Sequence, residues 1–266
     1  MLRRAPVGLG VLLLLVLILM PACGGAAKTQ PLLDPAATYA KAESFMTGRQ
    51  YSKAIQWFQK VNTAQNRELR AQVHLRLADA YFEQKGILDL AEAQGRYLSF
   101  LNAFPLSDQA SYAQYRFAQC LQRNASKPER DQTTTYQAMG EFRKVEDLYP
   151  NSAWVDEARA EMAALEDHLA EDALLKARFY YRRKSFTAAE HRLRGILSAN
   201  PDWDGRDEVF YLLGMSLRVR GQVDAGNAVL RRLQAEFPDS NYGRKAGKVL
   251  GPDSTGSEEP AADATG

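Results

Sequence analysis

The densest run of chemistry-bearing side chains lies between Lys176 and Arg194. Lys176, Arg178, Arg182, Arg183, Lys184, Arg192 and Arg194 crowd into nineteen residues and interleave with Phe179, Tyr180 and Tyr181. Such a mixture suits recognition rather than catalysis, because Arg and Tyr are enriched where protein partners grip one another. Two readings of the run stand. It is a solvated face laced with ion pairs, or it is a docking surface for an acidic partner domain. On the second reading Arg192 is the leading residue, since it follows the small Ala189 by three positions and so lies near a helix seam. A second set of aromatic residues, Tyr39, Tyr81, Phe82, Tyr112, Tyr115, Tyr180 and Tyr181, falls in segments of helical spacing. Most of these rings must fill joints between helices. Tyr112 and Tyr115, three apart on one face, are expected to turn a hydroxyl toward a groove. Enzyme chemistry finds no foothold: the sequence has no Cys-x-x-Cys or His-Glu-x-x-His spacing, no Gly-x-Ser-x-Gly elbow and no phosphate-binding glycine loop. His74, His168 and His191 sit in separate segments, so neither a metal site nor a cofactor site is expected, and the chain reads as a non-enzyme.

What must position these residues is a recurring helix. An apolar residue is followed by a small one at offset three, apolar residues at seven and ten, an aromatic or Asn at fourteen and proline at fifteen. Leu90, Ala93, Tyr97, Phe100, Phe104 and Pro105 form one copy; Thr135, Ala138, Phe142, Val145, Tyr149 and Pro150 form the next. Phe186, Ala189, Leu193, Ile196, Asn200 and Pro201, then Val223, Gly226, Leu230, Leu233, Phe237 and Pro238, complete the series. A weaker copy at Tyr51, Ala54, Phe58 and Val61 lacks its proline. These offsets share one stripe of a 3.6-residue helix, and proline, having no N–H, ends it. A single helix of this length cannot bury its stripe alone, so each needs a preceding partner approached closely at the small residue. Partner helices are expected at Thr38 to Met46, Glu68 to Glu83, Asp108 to Gln122, Ala153 to Arg183 and Arg206 to Arg220. Proline-to-proline intervals of 45, 51 and 37 residues exceed the roughly 34 of a minimal tetratricopeptide (TPR) repeat. The fold expected is all-α, a TPR-like superhelical solenoid of about five helix-turn-helix repeats over 36–249. Ser107, Ser152 and Ser240 are placed to cap the helices after three of the prolines, and Gly48 and Gly221 to take left-handed turns inside pairs. Pro128 makes Asn124 to Asp131 a surface loop, with Asp131 able to cap the helix after it.

The first residues read as an export signal. Arg3 and Arg4 precede an apolar run from Gly8 to Met20, and Met20-Pro21-Ala22-Cys23-Gly24 resembles the lipobox of bacterial lipoproteins. Residues 1–22 are then the signal peptide, Cys23 the lipidated residue and 23–35 a flexible tether; 250–266 has the composition of a disordered acidic tail. Lipid chains at Cys23 would moor the protein to a membrane, and the folded part need not touch it. The remaining cysteine, Cys120, has no partner for a disulfide and reads as a small core residue. The chain carries 34 basic and 32 acidic residues, and loss of Arg3 and Arg4 leaves 32 of each. That balance argues against nucleic acid as a partner.

Several phrases together resemble a known family. Cys23, the segment Tyr51 to Ile55, Leu77 to Phe82, Tyr112 to Tyr115, Arg130-Asp131-Gln132, Tyr149-Pro150-Asn151-Ser152 and the Ala189 to Arg192 spacing are similar, in order, to the BamD family of TPR lipoproteins of the outer-membrane β-barrel assembly machinery. The resemblance implies a lipid-anchored, periplasm-facing scaffold in the cell outer membrane. Its partners would be the central barrel protein of the machinery, gripped through its POTRA region, the other lipoproteins of the complex and unfolded outer-membrane proteins. Carried over, Arg192 lies at the POTRA-facing surface, to which the docking reading of the basic run adds Arg178, Arg182 and Arg183, while Tyr81, Tyr112 and Tyr115 lie nearest substrate. Another TPR lipoprotein adaptor, such as a pilus secretin pilotin or a Tol-Pal or cell-envelope coordinator, is the alternative.

Overall fold

The computed structural model describes residues 33–125, 127–128 and 130–251. The export signal, Cys23, the tether up to residue 32 and the tail from residue 252 lie outside the described residues. Eleven helices and no strand are present among the described residues. They pair as α1 (Pro35–Thr47) with α2 (Tyr51–Phe58), α3 (Arg67–Gln84) with α4 (Ile87–Ala103), and α5 (Ala110–Arg123) with α6 (Thr133–Leu148). Two more pairs follow, α7 (Val155–Arg182) with α8 (Phe186–Ala199) and α9 (Arg206–Val219) with α10 (Val223–Glu236), and α11 (Asn241–Leu250) closes the stack. Each helix packs chiefly on its neighbours in sequence, which makes the body a TPR-like helical solenoid. The expected first helices are all found, their ends within three residues of the spacing-based limits.

The proline stops act as the sequence dictates. α4, α6, α8 and α10 each end one residue before Phe104, Tyr149, Asn200 or Phe237, whose φ values of −134°, −133°, −132° and −135° leave the helical region ahead of the proline ring. α2, which has no such proline, is the shortest helix at eight residues. The small residues sit at the seams: Ala54, Ala93, Ala138 and Ala189 are fully buried. In the fifth pair the approach is closer still, because a Cβ on Gly226 would stand 2.7 Å from the carbonyl oxygen of Gly214 on α9. Only glycine fits there.

Three local expectations are corrected. Gly48 has φ −76°, and the left-handed residue of that turn is Arg49, at φ 55°. Lys85 and Lys184 take the same conformation in later turns (φ 63° and 60°), with Gly221 the glycine that does so inside a pair (φ 83°). At Arg49, Lys184 and Gly221 one backbone closure recurs. The left-handed residue donates to a carbonyl three residues back, and the next residue donates to one five back. The backbone closure, not the presence of glycine, selects the turn. Ser240 caps α11 through Gly243 N–H (2.9 Å), whereas Ser107 and Ser152 accept from Gln109 and Trp154 and close a turn one step ahead of α5 and α7. Asp131 accepts from Thr133, but Gln132 secures the preceding loop. Buried, it donates to the carbonyls of Lys127 (2.8 Å) and Arg130 (3.1 Å) and accepts from the Thr135 hydroxyl (2.7 Å).

The apolar core runs along the stack in successive clusters. One joins α3 to the first half of α7, ending at Leu165, and another starts at Leu174 and joins the second half of α7 to α8 and α9. Cys120 lies in the first, fully buried, and burial pushes its thiol up to about 12.

Candidate partner-binding surfaces

A buried carboxylate organises the N-terminal half. Asp79 on α3, 4% exposed, accepts from the Tyr97 hydroxyl on α4 (2.6 Å), the Tyr112 hydroxyl on α5 (2.9 Å) and Arg76 (3.0 Å). Arg76 in turn clasps Glu43 of α1 with two contacts of 2.6 Å. Four helices from three pairs therefore meet at one acid. Burial first, and then the charge of Asp79, push the Tyr97 and Tyr112 hydroxyls well above their ordinary value, so both remain donors at any physiological pH.

Beside this node a groove of about 1100 Å³ opens between α1, α3 and the turn after α4. Tyr39, Ala71, Leu75 and Phe104 give it an apolar floor, and Arg67, Glu68, Arg76 and Asp108 give it charge. Burial and the neighbouring Glu43 push the Tyr39 phenol up to about 12. The three tyrosines expected at a groove sit elsewhere: none of Tyr81, Tyr112 and Tyr115 lines this one. Tyr81 is half-buried under the Arg96 guanidinium, 5.0 Å from its ring. Tyr115, 7% exposed, stacks on Trp154 with centroids 5.0 Å apart; its hydroxyl accepts from Gln119 (2.9 Å) and donates to Glu161 (3.4 Å). Tyr112 packs on the same indole. Tyr112 and Tyr115 do share a face, but their hydroxyls are spent inside the stack. Arg76 and Glu43 escaped notice in the sequence because nothing local sets a helical Arg apart; the signal was the polar Asp79 within an apolar stripe.

The basic run divides between internal pairing and an open face. Arg178 turns inward across a repeat boundary: its Nε donates to Glu208 of α9 at 2.6 Å, and that pair holds the Glu208 carboxyl below its ordinary range against burial. Lys176 pairs with Asp172 and Arg194 with Glu190 on their own helices. What remains outward is Arg182, Arg183, Lys184 and Arg192, all exposed. Arg192 lies over the Tyr180 ring at 4.8 Å and Arg183 over Phe179 at 5.4 Å, so α7 and α8 present cations braced on half-exposed aromatic rings. Cation–π bracing fixes a guanidinium plane while leaving its donors free. No group of three or more His, Cys, Asp or Glu among the described residues could hold a metal ion, and no described helix is long and apolar enough to cross a membrane.

Stacked helix pairs carrying a groove at one end and a braced cationic face at the other define a TPR-like helical solenoid. The chain belongs to the outer membrane lipoprotein family (YfiO), whose model matches residues 32–208, and a tetratricopeptide repeat model matches 208–240. Among curated relatives, the outer membrane protein assembly factor BamD of Rickettsia prowazekii (strain Madrid E) is 24% identical, over 86% of this chain and 91% of that protein. BamD of Vibrio cholerae serotype O1 is 27% identical over 71% and 82% of the two chains, and that of Haemophilus influenzae 25% identical over 84% and 88%.

Proposed function

We propose that this chain is a non-enzymatic scaffold for outer-membrane protein assembly, held at the outer membrane by lipid on Cys23 and facing the periplasm. Its C-terminal half docks on the POTRA region of the central barrel protein through Arg192, Arg182 and Arg183. Arg178 supports that face from behind by tying α7 to α9. The N-terminal half receives unfolded outer-membrane proteins in the groove floored by Tyr39, Leu75 and Phe104. Tyr81, Tyr112 and Tyr115 hold the adjoining helices in register. One observation carries the docking reading: on α7 and α8, outward cations rest on aromatic rings instead of being neutralised by neighbouring acids. The match of the family model and the BamD relatives supports the assembly role.

A photo-crosslinker at position 192 in intact envelopes tests it. The expected product is an adduct with a POTRA-bearing barrel protein, lost on Arg182→Glu with Arg183→Glu. Adducts with a pilus secretin or with cell-wall machinery alone would overturn it.

A further inference from the structure

The two edges of the solenoid differ in charge. Because successive helices run antiparallel, the five turns within pairs lie along one edge and the turns between pairs along the other. The within-pair gaps hold seven basic residues and two acidic ones; the between-pair gaps hold one basic residue, Lys60, against Asp108, Asp202, Asp204 and Asp239. Three of the cations, Arg49, Lys85 and Lys184, occupy left-handed positions that glycine would fill at lower cost.

The second pair adds an apolar tip to this basic edge. Its turn is only Lys85-Gly86, and the first two residues of α4, Ile87 and Leu88, project with 86% and 85% of their surface exposed. Beside them is a recess of about 340 Å³ lined by Lys85, Ile87, Leu90 and Arg123. Arg123 is fixed there: its guanidinium lies 3.5 Å from the Phe82 ring centroid and donates to the Phe82 carbonyl (3.1 Å). Of the nearby acids, Glu83 is paired with Arg116 (2.9 Å), and Asp89 lies back over Gly86 at the start of α4.

We propose that this tip, Lys85, Ile87, Leu88 and Arg123, rests on an anionic phospholipid surface, with the aliphatic pair among the headgroups and the two cations facing phosphate. Adjacent, largely exposed aliphatic residues between cations match the layered chemistry of a membrane interface, apolar beneath and anionic above. An acidic protein face offers the second part without the first. The family is one of outer membrane lipoproteins, so a lipid surface lies within reach. From Cys23 to Asp34 an extended chain spans up to about 40 Å, against about 20 Å for the 13 residues of α1. The anchor and the tip can therefore meet one plane, a clause that rests on lipidation of Cys23.

The test uses the full lipidated chain with Leu88→Cys carrying an environment-sensitive fluorophore; Cys120, being buried, stays unlabelled. In vesicles containing phosphatidylglycerol the emission is expected to shift to the blue, and about 0.5 M salt should reverse the shift. Phosphatidylcholine vesicles should leave it water-like. Lys85→Gly, which relieves its backbone, and Arg123→Gln should each lower the lipid-shielded fraction about fivefold without loss of helix content. Water-like emission in both compositions, or shielding only when another envelope protein is added, overturns the proposal. Co-flotation with phosphatidylcholine vesicles reports the anchor separately, so an absent anchor and an idle tip give different results.

Discussion

Replacing Asp79 by alanine removes the shared acceptor of buried Tyr97 and part-buried Tyr112 at one stroke. Tyr97 and Tyr112 would keep their hydroxyls inside the stack with nothing to accept from them. Each orphaned buried donor costs about 1–3 kcal/mol. Arg76 retains its twofold grip on Glu43 and adds little, and removing a buried carboxylate returns part of its desolvation. The expected loss is about 2–5 kcal/mol. The same substitution in a Tyr97→Phe, Tyr112→Phe background strands no hydroxyl, so it should cost only about 1 kcal/mol, the difference being the coupling of a true network. Because a solenoid's stability is summed from neighbouring contacts, the damage should fall on the first three pairs. Urea unfolding followed by circular dichroism gives the totals, and amide exchange gives the location. Equal costs in both backgrounds, or exchange raised evenly to α11, would refute Asp79 as the point that ties these pairs together.

The seams invite a second test: Ala93→Leu and Ala189→Leu, each at a fully buried position, should destabilise by about 1–3 kcal/mol through overpacking, read from thermal melts. In the turns, Arg49→Gly and Lys184→Gly should stabilise by about 0.5–1 kcal/mol and Gly221→Ala should destabilise by about 1–2 kcal/mol, since all three are left-handed. His74 supplies a pH signature. Burial first, and then Arg96 and Arg70, lower its pKa, and its Nδ1 is buried without a hydrogen-bond partner. The unfolded chain takes up the proton first, near the ordinary value of 6.5, so stability falls as pH drops below that value and levels off once folded His74 is also protonated. His74→Gln should flatten this slope between about pH 7 and 5.5, a range above the titration of ordinary carboxylates.

Helix identity and termination were legible in the sequence because both are local: offsets of three and seven mark a stripe, and Pro105, Pro150, Pro201 and Pro238 mark ends. The fully buried alanines at the seams were legible for the same reason. Of the left-handed turn residues Gly221 was legible and Arg49 was not, since Gly48 is the better candidate by type and the six-residue closure around Arg49 decides otherwise. Likewise the groove takes Tyr39 from α1 and Phe104 from the end of α4, positions 65 residues apart that meet only once the first two pairs have stacked. The basic run showed its composition but not its partners. Glu208, which removes Arg178 from the open face, lies 30 residues downstream.

The 28-residue α7 is the one rod shared by both halves, and between Leu165 and Ala173 no residue of it belongs to either neighbouring cluster. A helix advances about 1.5 Å and turns about 100° with every residue. Adding or deleting a single residue in that stretch would therefore swing everything from α8 onward by more than a quarter turn while scarcely altering its distance from α1. The number of residues in this shaft works as an angular setting, indexing what is held at one end to what is gripped at the other.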